Sequence, residues 1–319
     1  MTGTVVRVDG KTCIVHTDSD TDYKAYIKKK IRGAMLDDAR PVAVGDVVEF
    51  EQRSTGESII TEVFPRKSWL NRRSVSNMNK QQVIVSNVEQ LMIVTSVQDP
   101  SFHPGIIDRF LVSAAKGHLD AKIVVNKNDL LENMDRDEKD YIESAIQVYE
   151  SLGYVVIRTS IYNPDSIENL RKHLIGKSTV FAGHSGTGKS SLLTTIAPHL
   201  QLRVGAINAK FHKGCHTTTS VRLMPLNESG FVVDTPGIRE FSLWQLTIEE
   251  VSHYFPEMES LRTMCKFNDC THTHEPFCAV KEGYEEGKIA DFRYNSYCHI
   301  LESIQHPELD FMEEIEENA

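Results

Sequence analysis

Thr179-Val180-Phe181-Ala182-Gly183-His184-Ser185-Gly186-Thr187-Gly188-Lys189-Ser190-Ser191 is the stretch on which the fold turns. Thr179 to Ala182 is an apolar run that reads as a strand, and Ser191 to Ile196 reads as a helix. Between them, Gly183 to Ser190 matches the phosphate-loop pattern, in which glycines let backbone amides turn inward on phosphates. Lys189 would reach the outer phosphates as a point charge, and the Ser190 hydroxyl would ligate magnesium. A strand, a phosphate loop and a helix in that order predict a parallel sheet covered by helices.

The neighbouring sequence continues the pattern. Strands are expected at Leu91–Thr95, Lys122–Val125, Tyr154–Arg158 and Phe231–Val233, with helices near Ile106–Lys116, Glu138–Leu152 and Ser166–His173. Asn126-Lys127-Asn128-Asp129 follows one of these strands. The Asp129 carboxylate can accept from the N1 and N2 donors of guanine, whereas adenine would leave a desolvated charge unpaired, so GTP is expected rather than ATP. Lys127 would lie along the base plane, Asn126 would tie the loop to its neighbours, and Thr159-Ser160 is placed to touch the base.

Asp234-Thr235-Pro236-Gly237 ends another strand, where Asp234 would hold magnesium through water and Gly237 would offer its amide to the γ-phosphate. Thr217-Thr218-Thr219 lies in a Gly- and His-rich stretch from Gly205 to Ser220, and one of these hydroxyls, with Thr218 and Thr219 as candidates, would complete the magnesium shell. Ile238 follows Gly237 where the Ras-like GTPases, which these motifs resemble, place the glutamine that orients water, so intrinsic turnover is expected to be slow. His216 and His184 are candidates for orienting water, and the family resemblance described below adds Gln245, the counterpart of a histidine that some members carry.

Two flanking regions differ in character. Near the N-terminus, Thr4–Val8, Thr12–His16, Tyr23–Ile27, Val47–Phe50 and Ser58–Val63 are short β-rich runs separated by turn residues, which suggests a small β-barrel with the OB-fold as natural candidate. Beyond Pro256, Cys265, Cys270, His272 and Cys278 give the spacing C-x4-C-x-H-x5-C, a closed donor set for structural zinc, with His274 as a competing imidazole. Cys13, Cys215 and Cys298 read as ordinary packing or surface residues. Domain boundaries are placed at 1–68 for the barrel, 78–242 for the nucleotide-binding unit and 243–319 for a mainly helical zinc-binding segment.

The chain has 319 residues, enough for two or three compact units, and a formal net charge of -10. That charge argues against coating nucleic acid through bulk attraction, so any RNA contact must use local patches. Lys28, Lys29, Lys30 and Arg32 form one, and Arg66, Lys67, Arg72, Arg73 and Lys80 the other. Cysteines interleaved with histidines suit a reducing compartment, no signal peptide or membrane span is readable, and the acidic Glu313, Glu314, Glu316 and Glu317 read as a frayed tail.

The nucleotide motifs resemble those of Ras-like GTPases but in rotated order, since the base-reading motif at 126 precedes the phosphate loop at 183. With the barrel and the Cys/His segment, they resemble the bacterial ribosome small-subunit-dependent GTPase A family, RsgA/YjeQ/YloQ, over nearly the whole chain. The resemblance implies an OB-fold, a circularly permuted α/β GTPase domain and a zinc-binding C-terminal domain. It also implies a cytoplasmic hydrolase of GTP to GDP and phosphate, stimulated by the small ribosomal subunit and acting late in its maturation. The family's nucleotide contacts fall on Asn126, Lys127, Asn128 and Asp129, and on Gly183, His184, Ser185, Gly186, Thr187, Gly188, Lys189, Ser190 and Ser191.

Its zinc ligands fall on Cys265, Cys270, His272 and Cys278. The implied partners are the small subunit and its rRNA, with no DNA, no membrane and a monomeric state; the implied cofactors are GTP/GDP, Mg2+ and one structural Zn2+. Cys215 replaces a usual basic residue before His216, and Phe277 replaces a usual glycine before the last cysteine. The alternative function is a nucleotide-gated RNA-binding module whose hydrolysis serves only release.

Overall fold

The computed structural model describes residues 1–28, 31–33, 40–53, 56–73, 81–198, 221–226, 230–234 and 246–306. Five strands, β1 (Thr2–Asp9), β2 (Thr12–Thr17), β3 (Thr21–Tyr26), β4 (Val47–Gln52) and β5 (Ser58–Val63), form the N-terminal unit. Their order is β1-β2-β3-β5-β4, and β4 pairs back on β1, so the sheet closes. All pairings are antiparallel except β3–β5, the closed Greek-key order of an OB-fold. Alternation produces the core: Cys13 and Val15 of β2 point inward with Val5, Ala25, Val48, Phe50 and Ile60, while Ile14 and His16, on the alternate face of β2, are only partly covered.

A hairpin of β6 (Trp69–Arg73) and β7 (Gln81–Ser86) follows, where the sequence reads as a basic linker. It is held to the barrel by a buried ion pair. Arg66 donates from Nε to Asp46 Oδ1 at 2.7 Å and from Nη2 to Asp46 Oδ2 at 2.9 Å, and Ser86 Oγ donates to Asp46 Oδ1 at 2.6 Å. With side chains 4% and 0% exposed, Arg66 and Asp46 belong to the packing, so Arg66 is not part of an exposed basic patch. The Arg72 and Arg73 side chains, together with Lys29, Lys30 and Lys80, lie outside the described residues.

The central unit alternates β8 (Gln90–Ser96), α1 (Pro104–Lys116), β9 (Asp120–Asn126), α2 (Arg136–Ser151), β10 (Val155–Arg158), α3 (Pro164–Lys172), β11 (Ser178–Ala182), α4 (Lys189–Ile196), β12 (Arg222–Leu226) and β13 (Gly230–Asp234). Strand order is β10-β9-β8-β11-β13-β12, parallel throughout except for the antiparallel β12. Period-two alternation splits the core between the two faces. Leu91, Ile93, Ile123, Val125 and Val180 pack under Ile107, Phe110 and Leu111 of α1 and Ile142, Ala145 and Ile146 of α2. Met92, Val94, Val124 and Phe181 pack under Ile167 and Leu170 of α3 and Leu192, Leu193 and Ile196 of α4. Each such fully buried aliphatic side chain contributes about 1.5–3 kcal/mol.

The barrel and this sheet are continuous, because β1 pairs antiparallel with β12 at Arg7 and Arg222, and Val221 and Leu223 pack against both cores. The C-terminal segment carries the short helices α5 (Ile248–Val251), α6 (Glu259–Arg262) and α7 (Ala279–Glu285) and the longer α8 (Asp291–Gln305). Its core of Val251, Phe255, Met258, Val280, Ile289, Tyr297, Ile300 and Leu301 also takes in Val112 from α1. A closed barrel, a helix-covered parallel sheet and a helical segment with a Cys/His cluster are the fold class expected from sequence. No described helix is long and apolar enough to cross a membrane. The acidic tail lies outside the described residues.

Candidate GTP site and metal centre

Three loops meet at the carboxyl ends of β9, β10 and β11, where a parallel sheet presents its ligand crevice. Asn126, 3% exposed, joins them. Its Nδ2 donates to the Thr187 carbonyl at 2.8 Å, and its Oδ1 accepts from Thr159 Oγ1 at 3.0 Å. The Asn128 amide donates to the Thr159 carbonyl at 3.0 Å, so the base-reading loop, the phosphate loop and the Thr159-Ser160 loop form one hydrogen-bonded unit. Ser160 is buried, and its Oγ accepts from the Tyr162 amide at 3.1 Å, which turns the chain into α3. Lys127 adopts a left-handed conformation at φ 57° and directs its Nζ to the Gln98 carbonyl at 3.3 Å and to the Asp99 carbonyl. Asp129 is half-buried at the start of a 3-10 turn, Asn128–Asn133.

The phosphate loop leaves β11 at Gly183 and enters α4 at Lys189. Two of its glycines are dictated by their surroundings. A Cβ on Gly183 would stand 2.0 Å from the Val94 carbonyl oxygen, and one on Gly188, at φ 93°, would stand 2.2 Å from Asn126 Nδ2. Lys189 Nζ donates to the Gly183 and His184 carbonyls, each at 2.6 Å, which curls the loop around the ammonium. Thr187 Oγ1 closes the turn on the His184 carbonyl at 3.0 Å. Ser185, Gly186, Ser190 and Ser191 face outward, and His184 Nδ1 lies 3.1 Å from the Ser185 carbonyl. A lysine cation, a serine hydroxyl and a glycine-turned backbone on one loop are the groups that bind polyphosphate and magnesium.

Asp234 ends β13 with its backbone opposite Arg222; its side chain lies outside the description. Thr217, Thr218, Thr219, His216, Cys215, Gly237, Ile238 and Gln245 also lie outside the described residues.

The second centre is compact. Ligand atoms of Cys265, Cys270, His272 and Cys278 all lie within 4.8 Å of one another. His272 Nδ1 is 3.5 Å from Cys265 Sγ and 3.4 Å from Cys278 Sγ, and those two sulfurs are 3.9 Å apart. Tetrahedral zinc with Zn–S of about 2.3 Å and Zn–N of about 2.0 Å requires edges of ~3.8 Å between sulfurs and ~3.5 Å from sulfur to nitrogen. The donor set therefore fits. His272 is 3% exposed, and burial lowers its pKa, keeping the imidazole neutral; burial also pushes the Cys270 thiol up to about 12, so a cation is needed to hold it as thiolate. His274, the competing imidazole, instead faces Thr273 Oγ1 at 3.0 Å.

Outer contacts fix this cluster. Tyr294 and Tyr297 donate to the carbonyls of His272 and Thr271, each at 2.7 Å. Burial works to raise the Glu275 pKa, but hydrogen bonds from Thr271 and Thr273 outweigh it and hold the carboxyl at about 2. Phe277 sits at φ 58°, so phenylalanine keeps the left-handed turn that glycine would make. Cys13 is buried in the barrel and Cys298 packs half-buried beside the C-terminal core.

The RsgA GTPase family profile matches residues 63–244. A "Small ribosomal subunit biogenesis GTPase RsgA" of Bacteroides fragilis is 38% identical over 303 residues, covering 95% of this chain and 96% of the relative. This chain belongs to the RsgA GTPase family. The same-named protein of Chlorobaculum parvum is 37% identical over 314 residues, covering 95% and 98% of the two chains. Among solved structures, YjeQ from Thermotoga maritima is 32% identical with a TM-score of 0.73, covering 95% and 98% of the chains. YloQ, described as a circularly permuted GTPase, is 29% identical with a TM-score of 0.70 over 96% and 95%. Membership makes the chain a circularly permuted GTP hydrolase.

The Asn126–Thr187–Thr159 junction is not visible in the sequence beyond the tying role expected of Asn126. The Tyr294 and Tyr297 braces leave only one sequence signal, an i,i+3 pair of tyrosines on a C-terminal helix.

Proposed function

We propose that this GTPase is a maturation switch of the small ribosomal subunit, turning over slowly alone and faster on the subunit, in the cytoplasm and as a monomer. The observation that carries the nucleotide part is the convergence of Asn126, Thr187 and Thr159, which puts the Asp129 loop beside the phosphate loop. Asp129 would accept from guanine N1 and N2, Lys127 would cover the base plane, and Thr159-Ser160 would border its edge. Lys189 and the turned loop from Gly183 to Ser191 would take the phosphates, and Ser190, Asp234 and a threonine of Thr218 and Thr219 would hold magnesium.

Held by those residues, magnesium would supply charge neutralisation at the phosphates. The protein's residues orient the nucleotide and leave water to be positioned with help from the partner, with His216 and Gln245 as the chain's own candidates. Cys265, Cys270, His272 and Cys278 would hold one zinc as a staple, because a four-ligand set leaves no position for chemistry. The unit boundaries 1–68, 78–242 and 243–319 go with this reading, and the subunit contacts are assigned to rRNA. Hydrolysis serving release alone gains nothing from the site. Asp129→Asn tests the base assignment: preference for GTP should pass to XTP, and an unchanged preference for GTP would overturn it.

A further inference from the structure

A buried ionic cluster ties the zinc-bearing segment to the helix that starts at the nucleotide crevice. Arg293 of α8 is 1% exposed. Its Nη1 donates to Asp108 of α1, its Nε donates to Glu257 Oε1 at 2.6 Å, and its Nη2 donates to Glu257 Oε2 at 3.1 Å. Asp108 is fully buried and accepts from Tyr149 Oη of α2 at 2.6 Å, while the same hydroxyl reaches the Pro104 carbonyl at 3.1 Å. The guanidinium also lies 4.5 Å from the centre of the Phe255 ring. One arginine therefore sets the position of α1 at its first turns.

The segment leading into that helix is short and anchored at its other end by the nucleotide loops. Ser96 Oγ donates to the Pro100 carbonyl at 2.7 Å, Lys127 Nζ rests on the Gln98 and Asp99 carbonyls, and Pro100 Cδ lies 3.3 Å from where a Cβ on Gly186 would stand. Residues 98–100 are thus the seat of both the base-reading lysine and the phosphate loop. Few residues separate that seat from Pro104, which Tyr149 holds, so a shift of α1 has little chain in which to be absorbed.

We propose that Arg293 is a positioning residue for the GTP site: through Asp108 and Tyr149 it fixes α1, and thereby the 98–100 seat under Lys127 and Gly186. The zinc segment then sets how tightly guanine nucleotide is held, and by reciprocity the nucleotide biases the zinc segment's seating. This rests on the reading of Lys127 and Asp129 as base-recognition residues.

The test uses full-length, zinc-loaded protein and a fluorescent GDP analogue, with unlabelled GDP and IDP as competitors, at a temperature well below every variant's Tm. Arg293→Lys keeps the charge but cannot fork between Asp108 and Glu257; Asp108→Asn keeps the shape and removes the charge. Both should weaken GDP binding at least about fivefold, the lower end of ordinary intersite coupling, and narrow the GDP/IDP ratio while zinc stays bound. Leu301→Ala, which opens the same C-terminal core away from the cluster, should lower Tm and leave GDP affinity and the ratio within about twofold.

Unchanged GDP affinity in Arg293→Lys and Asp108→Asn would overturn the inference, as would an equal loss in Leu301→Ala. Asp129→Asn separates the two failures. If it abolishes guanine preference while Arg293→Lys and Asp108→Asn bind normally, only the positioning role is lost; if it does not, the base-site reading falls first.

Discussion

Gly188→Ala places a methyl group where the structure has none to spare. The new Cβ would lie 2.2 Å from Asn126 Nδ2 on a backbone at φ 93°. Relief requires Gly188 to leave the left-handed region or the Asn126 amide to swing away from Thr187 and Thr159. The strained backbone costs about 1–2 kcal/mol, and loss of the two Asn126 hydrogen bonds costs roughly 0.5–1.5 kcal/mol each. Since strain and bond loss partly substitute for one another, a total of roughly 2–4 kcal/mol is expected, confined to the junction of three loops. At about 1.4 kcal/mol per factor of ten, GDP affinity should fall roughly 30- to 700-fold. Titration with a fluorescent GDP analogue reads the affinity, and thermal melting in the absence of nucleotide reads the fold. Binding within threefold of the unsubstituted protein would refute the reasoning, because the Asn126 junction would then be dispensable for the site.

Two further outcomes follow from buried groups. Cys278→Ser should abolish stoichiometric zinc in metal analysis and loosen the C-terminal core, seen as faster proteolysis beyond residue 246 with the barrel intact; retained zinc would show that the cluster is not its site. Arg66→Ala leaves the fully buried Asp46 carboxylate without its cation and should cost roughly 3–5 kcal/mol in urea unfolding, whereas an RNA-contacting arginine would cost almost nothing.

Much of this architecture is legible because it follows local rules. β2, β8, β9 and β11 are apolar runs or alternations ended by turn residues, and the phosphate loop and Cys/His cluster carry fixed spacings. The hairpin of β6 and β7 is hidden because Asn71, Arg72, Arg73 and Gln81 read as linker, and the contact that seats it on the barrel, Ser86 to Asp46, joins residues 40 apart in the chain. β12 was hidden by Pro225, which removes a donor and is tolerated where the strand lies at the junction with the barrel, joined to β1 at a single residue pair. Arg66, Asp108 and Arg293 were opaque for another reason: sequence alone cannot tell a solvated charge from one buried with its partner many residues away. Of the candidate site, residue types at Asn126 to Asp129 and Gly183 to Ser191 were readable, but the hydrogen bonds that join their loops are tertiary.

The proposed function requires that the small ribosomal subunit complete the GTPase site. GTP hydrolysis by the purified chain should therefore be measured with and without purified small subunits, at low salt so that phosphate contacts persist. Slow turnover alone and strong stimulation by the subunit are expected. Equal turnover in the two conditions, with GTP bound, would contradict that requirement.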